Sequence, residues 1–348
     1  MKAFRRFARE ERAARLVDLP IPEPTESEVL LKVSHCGICG SDLHAWLNHK
    51  GYESVLPEVT FGHELSGTVE KVGTKANEWK IGDQAVMIAL QTHHDPDDRY
   101  CRDNLPQLSS RRRVQGLHLD GGMAEYVCVD VEFLIPVPDD LPLRLAALTE
   151  PLSVAEHCIG TRTDIEDGSN VVVSGPGIIG LLCAISARNR GANVLLSGTE
   201  RDEPTRLRAA RKIGFQTLTV GPGKVNLDEQ VLHYFPQGAD ALVEASGAVP
   251  ALSESWKSVR ANGIVTAIAL YSRAIDIDIT QFLRKQIDLR TSYASSKDDY
   301  LRAFRLLQDG TVDLDILTQD YPLSKAEQGF LDSEALKVTK VLLNCSQT

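Results

Sequence analysis

The sequence predicts an α/β protein with two domains, one a small, mostly-β, barrel-like domain and the other a doubly wound parallel sheet. Three observations support this prediction. With 348 residues, the chain is longer than one ordinary hydrophobic core accommodates. Short strand-like runs separated by Gly and Pro turns fill its first part. After Asp167-Gly168, apolar strand-like runs instead alternate with helical stretches, as in sheets covered by helices on both faces.

The composition limits the classes of function. A formal net charge of -10 argues against nucleic acid as the main partner, because a phosphate backbone attracts basic surfaces. No apolar run is long enough to span a bilayer, and the first residues lack the apolar stretch of a signal peptide. Seven scattered cysteines suit a reducing compartment, so we expect a cytoplasmic protein without membrane contacts.

The N-terminal part of the chain is predicted to consist mainly of strands. Prolines at 20, 22 and 24 indicate an extended connection, since each restricts its own φ and disfavours helix before it. The strands predicted after this connection are 28–33, 65–72, 84–88 and 123–129. Residues 91–115 are polar and turn-rich, which predicts a lobe or long loop. A helix is predicted within 145–159, beginning just after Glu150 because proline is favoured in a first helical turn.

A regular alternation of strand and helix begins at residue 170. The predicted strands are 170–174, 194–197, 217–220, 241–244, 264–269 and 289–293. Helical stretches separate most of them, including one that ends near Arg190 and one at 206–213. A helix at 299–309 and a strand at 339–343 then return the chain to the first domain.

A Gly-x-Gly-x-x-Gly motif follows the first strand of this series. It comprises Gly175, Gly177 and Gly180, with Ile178 and Ile179 at the start of the next helix. The glycines allow a tight turn and close approach of a pyrophosphate, which the helix N-terminus then binds. Because the motif lies between a strand and a helix, it predicts a Rossmann domain that binds NAD or NADP.

The choice between NAD and NADP stays open at the end of the second strand. An acidic residue at this place binds the ribose 2′-OH of NAD, but the sequence has Gly198 and Thr199 there. Glu200 would favour NAD if it reaches the ribose. Arg201, beside these two small residues, would instead suit the 2′-phosphate of NADP.

The donor atoms of a catalytic zinc site occur between His35 and Glu64, with one more carboxylate further along the chain. The candidate ligands offer thiolate, imidazole and carboxylate groups: Cys39, His63, Glu64 and Glu150. A zinc ion there would acidify a bound alcohol, whose hydride then passes to nicotinamide. Ser41 and His44 are the candidate relay that carries the alcohol proton to solvent.

Other residues near these motifs have simpler interpretations. Cys36 is predicted to be a buried hydrophobic residue; the alternative, a redox pair with Cys39, lacks a thioredoxin-like context. Arg111-Arg112-Arg113 is interpreted as a solvated loop, with an anion or subunit contact as the alternative. The remaining histidines considered lack a second ligand at metal spacing and are interpreted as surface or packing residues: His49, His93, His94, His118, His157 and His233. His93 and His94 are the candidates among these for a metal-binding role, because acidic residues surround them in the sequence.

Together these motifs resemble those of the zinc-dependent medium-chain dehydrogenases, in the same order and over nearly the whole chain. The residues that carry the resemblance are 37–44, 62–64, 120–122 with Glu125-Tyr126, 150–153, and glycines 175, 177 and 180. The Glu-Pro-Leu-Ser stretch at 150–153 resembles the polyol branch, typified by sorbitol dehydrogenase. Alcohol dehydrogenases place a third cysteine ligand at this point.

The resemblance implies a domain organisation. A GroES-like catalytic domain would comprise residues 1–155 with 297–348, and a Rossmann NAD(P)-binding domain would comprise 156–296. Members of this family are often oligomeric, so the resemblance also implies a homo-oligomer, either a dimer or a tetramer.

The resemblance also implies roles for single residues. One catalytic Zn²⁺ per chain would be bound by Cys39 and His63, with Glu64 and Glu150 as direct or water-mediated ligands. Ser41 and His44 would form the proton relay. Lys340 falls where relatives often carry a basic residue close to the cofactor phosphates.

The sequence departs from the family pattern in two places. Many relatives bind a structural zinc through four cysteines in the lobe, but the positions here are Asp95, Asp98, Cys101 and Ser109. One cysteine with hard oxygen donors is a poor structural zinc site, so we expect no structural zinc. Residues 291–296 lack the arginine that sorbitol dehydrogenases use to bind substrate, which argues against sorbitol but not against alcohol oxidation.

The sequence therefore predicts a zinc-dependent oxidoreductase that transfers a hydride between a secondary alcohol and NAD or NADP. The expected substrate is a small polyol, sugar or cyclitol. The alternative is a non-catalytic NAD(P)-binding protein of the same fold, with a structural or sensing role. The complete set of candidate zinc ligands argues against this alternative and against a zinc-free reductase of the same superfamily.

Overall fold

Both ends of the chain belong to one compact unit. The computed structural model describes residues 1–310 and 313–347. The chain divides into a first unit, Met1–Glu150 with Ser296–Thr311 and Thr318–Thr348, and a second unit, Pro151–Ser295 with Val312–Leu317. None of the described helices combines the length and the apolar character that crossing a membrane requires.

The N-terminal part of the first unit consists mainly of strands, as predicted. Its elements are β1 (Lys2–Arg6), β2 (Ala14–Asp18), β3 (Glu28–Gly37), α1 (Gly40–Trp46), β4 (Glu64–Val72), β5 (Gln84–Met87), β6 (Leu90–Gln91), α2 (Arg99–Arg102), β7 (Arg113–Val114), β8 (Tyr126–Asp130), β9 (Leu134–Pro136) and α3 (Leu143–Ala146). β3 runs past the predicted end at Val33, because its last residues pair with β4.

The second unit is the alternating α/β part of the chain. Its elements are α4 (Thr149–Glu156, which begins in the first unit), β10 (Asn170–Ser174), α5 (Ile178–Asn189), β11 (Asn193–Gly198), α6 (Arg208–Lys212), β12 (Gln216–Thr219), α7 (Leu227–Tyr234), β13 (Ala239–Glu244), α8 (Val249–Ser253), β14 (Val259–Ala267), α9 (Ile279–Lys285) and β15 (Asp288–Thr291). All its strand pairs are parallel, in the order β12-β11-β10-β13-β14-β15. The order reverses at β10, which is the predicted doubly wound α/β arrangement.

The C-terminal segment completes the sheet of the first unit. Its elements are α10 (Lys297–Gln308), β16 (Thr318–Pro322), α11 (Ala326–Glu334) and β17 (Lys340–Asn344). The sheet has the order β16-β17-β3-β4-β5-β9, and β8 also pairs with β3. The sequence interpretation predicted α10 and β17 but missed β16 and α11.

Two starting points of helices differ from the predictions. α4 begins at Thr149, so Glu150 lies inside its first turn instead of just before it. The predicted helix at 206–213 is a π-helical turn, Glu203–Leu207, followed by α6. In both cases the proline lies within the first helical turn, where its missing N–H costs no hydrogen bond.

The core of the first unit centres on aromatic side chains. The ring of Phe330 packs 5.2 Å from Phe4, 5.3 Å from Trp46 and 5.8 Å from Phe61, measured between centroids. Cys36 is fully buried in the same core, and burial raises the pKa of its thiol well above the usual range. The prediction that Cys36 is a buried hydrophobic residue is therefore confirmed.

The polar segment 91–115 forms a lobe whose acids contact Arg111. The guanidinium of Arg111 pairs with Asp95 and lies 3.9 Å from Asp98. The hydroxyl of Ser109 donates to Asp98 at 2.5 Å. All three arginines of 111–113 are exposed, which agrees with the interpretation as a solvated loop, although Arg111 also pairs with the acids of the lobe. An anion or subunit contact of this segment stays a prediction.

Candidate active site

Cys39 is positioned by the start of α1. It is the N-cap residue of that helix, and its backbone N–H donates to the carboxylate of Asp42 at 3.0 Å. The same segment follows directly from β3, so the central strand of the sheet delivers the thiol to this place. Asp42 is fully buried, which makes its carboxylate an internal support and not a solvated helix-start acid.

His63 lies next to the same carboxylate. Its Nδ1 is 3.4 Å from Oδ1 of Asp42, and its Nε2 is 3.3 Å from the hydroxyl of Ser41. Burial disfavours a charged imidazole, but the negative charges of Asp42 and Cys39 outweigh this effect and raise the pKa of His63 well above its usual range. The site therefore attracts positive charge strongly.

Three donor groups converge at this point. The ligand atoms of Cys39, His63 and Glu64 all lie within 4.8 Å of one another. A thiolate, an imidazole and a carboxylate at this separation fit a zinc ion, and such a set leaves a further coordination position open. The electrostatics support the fit, because the negative charges that raise the pKa of His63 would also attract a buried divalent cation.

Asp42 is the residue of this site that the sequence interpretation missed. It contacts the backbone of one candidate ligand and the ring of another, which is how supporting carboxylates orient histidine ligands of metals. The available signal was its position three residues after Cys39, inside the motif already identified.

Lys340 reaches the same centre from the far end of the chain. Its ammonium pairs with the carboxylate of Glu64 and donates to the carbonyl oxygen of Ile38 at 2.9 Å. Both side chains of the pair are 1% exposed. Burial alone would lower the pKa of Lys340, but Glu64 and the nearby anions raise it overall. The structure thus places Lys340 beside a candidate metal ligand; its contact with cofactor phosphates stays a prediction.

The glycine-rich turn connects β10 to α5 in the second unit. Gly175 has a φ of +103°, and a Cβ on Gly180 would lie 1.9 Å from the carbonyl oxygen of Gly175. Gly177 is the N-cap of α5, which begins with Ile178 and Ile179. Gly175 and Gly180 require glycine because of the positive φ and the close approach, whereas Gly177 has open space around it. The first N–H groups of α5 have no partner within the helix and are available to a phosphate.

Comparisons with known proteins agree with both parts of this description. Residues 25–139 match the family described as alcohol dehydrogenase GroES-like domain, and residues 179–309 match the family described as zinc-binding dehydrogenase. The D-arabitol-phosphate dehydrogenase of Enterococcus avium is 32% identical over 90% of this chain and 89% of its own length. The sorbitol dehydrogenase of Halalkalibacterium halodurans is 32% identical over 93% of each chain.

The chain belongs to the zinc-dependent alcohol dehydrogenase family. Membership of this family means that the chain contains a GroES-like domain and a Rossmann domain. The structure of the 2R,3R-butanediol dehydrogenase of Bacillus subtilis superposes on this chain with a TM-score of 0.88. That structure is 26% identical and covers 99% of each chain. This dehydrogenase is accordingly an oxidoreductase with zinc and a nicotinamide dinucleotide as cofactors.

Glu150, the fourth candidate ligand of the dehydrogenase, falls outside the group of three converging donors. Burial raises the pKa of its carboxyl to about 7; His63 opposes the shift, and the charge of Glu64 adds to it. The carboxyl therefore lies in the electrostatic field of the site.

Of the two candidate relay residues, Ser41 contacts His63 and His44 lies at the surface. The Nδ1 atoms of His44 and His49 are 2.8 Å apart, and the ring of His44 stacks on Tyr52 with centroids 5.5 Å apart. His49, interpreted from sequence as a surface or packing residue, thus contacts the outer member of the relay.

A second group of donor atoms lies away from the zinc ligands. His93, Asp130 and Glu132 place their ligand atoms within 4.8 Å of one another. The group is largely exposed, and Nδ1 of His93 pairs with Glu132 at 2.8 Å. Hydrogen bonds account for this arrangement: the backbone N–H of Glu132 donates to Asp130 at 3.0 Å, and the hydroxyl of Ser27, outside the group, donates to Asp130 at 2.7 Å.

Proposed function

We propose that this dehydrogenase oxidises a secondary hydroxyl of a small polyol, sugar or cyclitol and reduces the matching ketone. The observation that carries the proposal is the convergence of Cys39, His63 and Glu64 within 4.8 Å. The names of its relatives support the substrate class. Sorbitol and arabitol phosphate are polyols, and other relatives, about 30% identical, are D-xylulose reductases of Aspergillus species.

We assign the metal to these three residues, with Glu150 as a further direct or water-mediated ligand. When bound, zinc supplies Lewis acidity that lowers the pKa of the substrate hydroxyl, and nicotinamide accepts the hydride. Asp42 holds the imidazole of His63 so that Nε2 stays available to the ion. Lys340 balances the charge of Glu64 inside the protein.

The proton of the substrate leaves through Ser41 and His44. Ser41 lies beside His63, so its hydroxyl is adjacent to the place where the substrate oxygen loses its proton. His44 is the outer group, exposed to solvent and able to exchange protons near neutral pH.

The dinucleotide is assigned to the second unit. Gly175, Gly177 and Gly180, with the N–H groups of Ile178 and Ile179, bind its pyrophosphate. The adenosine ribose lies near the end of β11, where the candidates are Gly198, Thr199, Glu200 and Arg201. Lys340 is the candidate for a phosphate contact from the first unit. A zinc-binding dehydrogenase of Sinorhizobium meliloti, 27% identical with a TM-score of 0.89, was solved with NADP.

The proposal extends to the organisation of the molecule. Residues 1–155 with 297–348 form the catalytic domain, and 156–296 form the nucleotide-binding domain. The protein works in the cytoplasm as a homo-oligomer, dimer or tetramer. Gel filtration with light scattering measures the molar mass in solution, and a mass equal to that of one chain contradicts the proposed oligomer.

A substrate panel tests the function. Polyols, cyclitols and simple secondary alcohols are each offered with NAD and with NADP, and reduced nicotinamide is followed by absorbance before and after a zinc chelator. We expect chelator-sensitive turnover of at least one polyol, sugar or cyclitol. Cys39→Ala should lose zinc and turnover but keep dinucleotide binding, whereas Cys101→Ala in the lobe is the matched control.

Two results contradict the proposal. Turnover that survives complete removal of zinc would contradict the assignment of the metal. Zinc-free protein that binds dinucleotide but never turns over, even after zinc is returned, would support the non-catalytic alternative.

A further inference from the structure

We propose that this dehydrogenase prefers NADP, and that Arg201 and Lys224 bind its adenosine 2′-phosphate. The inference rests on the proposed function, which requires a dinucleotide but leaves its 2′ group open. Four features at the end of β11 lead to it, and all lie within the second unit.

The end of β11 has no room for the acid that selects NAD. A Cβ built on Gly198 would lie 2.6 Å from Cγ and 2.9 Å from Cδ of Pro176, and 3.2 Å from a methyl carbon of Leu207. Contacts below 3 Å are not tolerated without movement. Pro176 belongs to the glycine-rich turn itself, so the pyrophosphate loop excludes a carboxylate from the strand end that faces the ribose.

The carboxylates of Asp202 and Glu203 already make hydrogen bonds and ion pairs within the protein. The carboxylate of Asp202 accepts from the backbone N–H of Thr199 at 2.9 Å and from its hydroxyl at 2.8 Å, and its other oxygen lies 3.4 Å from Arg206. Glu203 pairs with Arg211 at 2.6 Å. Neither carboxylate can turn to a ribose hydroxyl without breaking these bonds.

Glu200 is the remaining acid that could contact the ribose of NAD, and the ammonium of Lys224 lies beside it. Its side chain is 76% exposed, and its carboxylate lies 3.3 Å from the ammonium of Lys224. Lys224 follows β12, which pairs in parallel with β11 so that Gly198 lies opposite Thr219. The ends of the two strands therefore bring Lys224 to the residues that follow β11.

Arg201 supplies a second positive charge at the same place. It is exposed, and within residues 1–310 and 313–347 no hydrogen bond or ion pair engages its guanidinium. Asp202 and Glu203 pair with Arg206 and Arg211, so neither acid balances the charge of Arg201. The pair of Lys224 with Glu200 is exposed and 3.3 Å long, so the ammonium can turn from the carboxylate to a phosphate. A guanidinium and an ammonium in the segments that follow β11 and β12 match a phosphate monoester.

Binding of adenosine fragments tests the inference without turnover. Titration calorimetry compares adenosine 2′,5′-bisphosphate with AMP, which differ only in the 2′-phosphate. We expect the bisphosphate to bind at least about tenfold more tightly, since hydrogen bonds to a charged group contribute more than neutral ones. Arg201→Gln and Lys224→Gln should each remove most of that difference and leave AMP binding unchanged.

Two control variants give the experiment its contrast. Arg208→Gln removes an exposed arginine of α6 and should change neither affinity. Glu200→Gln should leave the bisphosphate affinity the same or raise it. Equal affinity of the wild type for the two fragments overturns the inference. A loss of AMP binding in Glu200→Gln also overturns it and assigns Glu200 to the ribose of NAD.

Turnover separates this inference from the proposed function. With an active alcohol, the ratio of kcat/KM for NADP to that for NAD should exceed about ten and should fall in Arg201→Gln through KM for NADP. An enzyme that oxidises polyols with NAD alone contradicts the NADP assignment and leaves the function standing. Preferential binding of the bisphosphate without any turnover contradicts the function and leaves the cofactor assignment standing.

Discussion

The ring of Pro176 covers Gly198 so closely that the glycine has no space for a side chain. Pro176 lies in the turn after β10, and Gly198 ends the neighbouring parallel strand β11; a Cβ on Gly198 would be 2.6 Å from Cγ of Pro176. One contact thus links the phosphate-binding turn to the residue that usually selects the cofactor. The consequences can be measured in the protein without a ligand.

Gly198→Ala should destabilise the second unit. Forcing one methyl group into a packed site costs about 1–3 kcal/mol, and chemical denaturation measures the loss. Adding Pro176→Ala should recover part of it, because the ring that causes the clash is gone. Gly177→Ala is the control for unfolding, since its new Cβ meets no atom within 4 Å. Wild-type stability of Gly198→Ala would contradict the close contact.

Asp42→Asn should weaken zinc binding without unfolding the protein. The substitution keeps the size of the side chain but removes the charge beside His63, and changes to such supporting groups lower metal affinity about 10- to 100-fold. Competition with a chromogenic chelator measures the affinity. Asp97→Asn, at an exposed position in the lobe, should match the wild type. Unchanged affinity in Asp42→Asn would show that the carboxylate does not act on the ligands.

Lys340→Met should be strongly destabilising. Removing one partner of a buried ion pair leaves the other charge uncompensated, which costs about 3–5 kcal/mol. The double variant with Glu64→Gln should recover much of this loss, because no buried charge then remains at either position. Thermal unfolding of the four proteins in the cycle measures the coupling. Additive effects of the two substitutions on the unfolding free energy would show that Lys340 and Glu64 do not stabilise each other.

His49→Gln should shift the pH dependence of turnover. One face of the exposed His44 ring stacks on Tyr52, and this partial burial lowers its pKa; the charge of His49 lowers it further. Without His49, the pKa of His44 should rise towards its usual value. Only neutral His44 accepts the relay proton, so the acid-side fall of kcat for alcohol oxidation should move to higher pH.

A pH profile of kcat checks this shift, with His233→Gln in the second unit as the control. An NMR titration of the His44 ring reports the same pKa without turnover. A profile of His49→Gln that overlays the wild type would mean that His44 does not limit proton release.

Arg111→Ala should loosen the lobe but leave zinc content unchanged. The guanidinium pairs with Asp95 and lies 3.9 Å from Asp98. Its side chain is 60% exposed, so the effect on global stability should be small, about 0.2–1 kcal/mol. Limited proteolysis within residues 91–115 should instead become faster. Arg99→Ala, which removes an exposed pair with Asp103, is the matched control.

Local patterns allowed much of this protein to be predicted. The spacing of Gly175, Gly177 and Gly180 between a strand and a helix indicated the nucleotide-binding turn, since both the conformation and its purpose depend on consecutive residues. Cys39 with His63 and Glu64 indicated a metal site because few other roles need these donor types so close in sequence. Strand periodicity located most of the strands, although β16 and α11 were missed.

Contacts between distant segments were decided only by the tertiary structure. Glu64 and Lys340 are 276 residues apart, and they meet because β3 pairs with β4 on one side and with β17 on the other. A register shift of one residue would turn Lys340 to the other face of the sheet. By itself, the sequence determined which chemical groups are present and the local structure that carries them. The strand registers decided which of these groups touch, because hydrogen-bond pairing between distant strands leaves no trace in a local pattern.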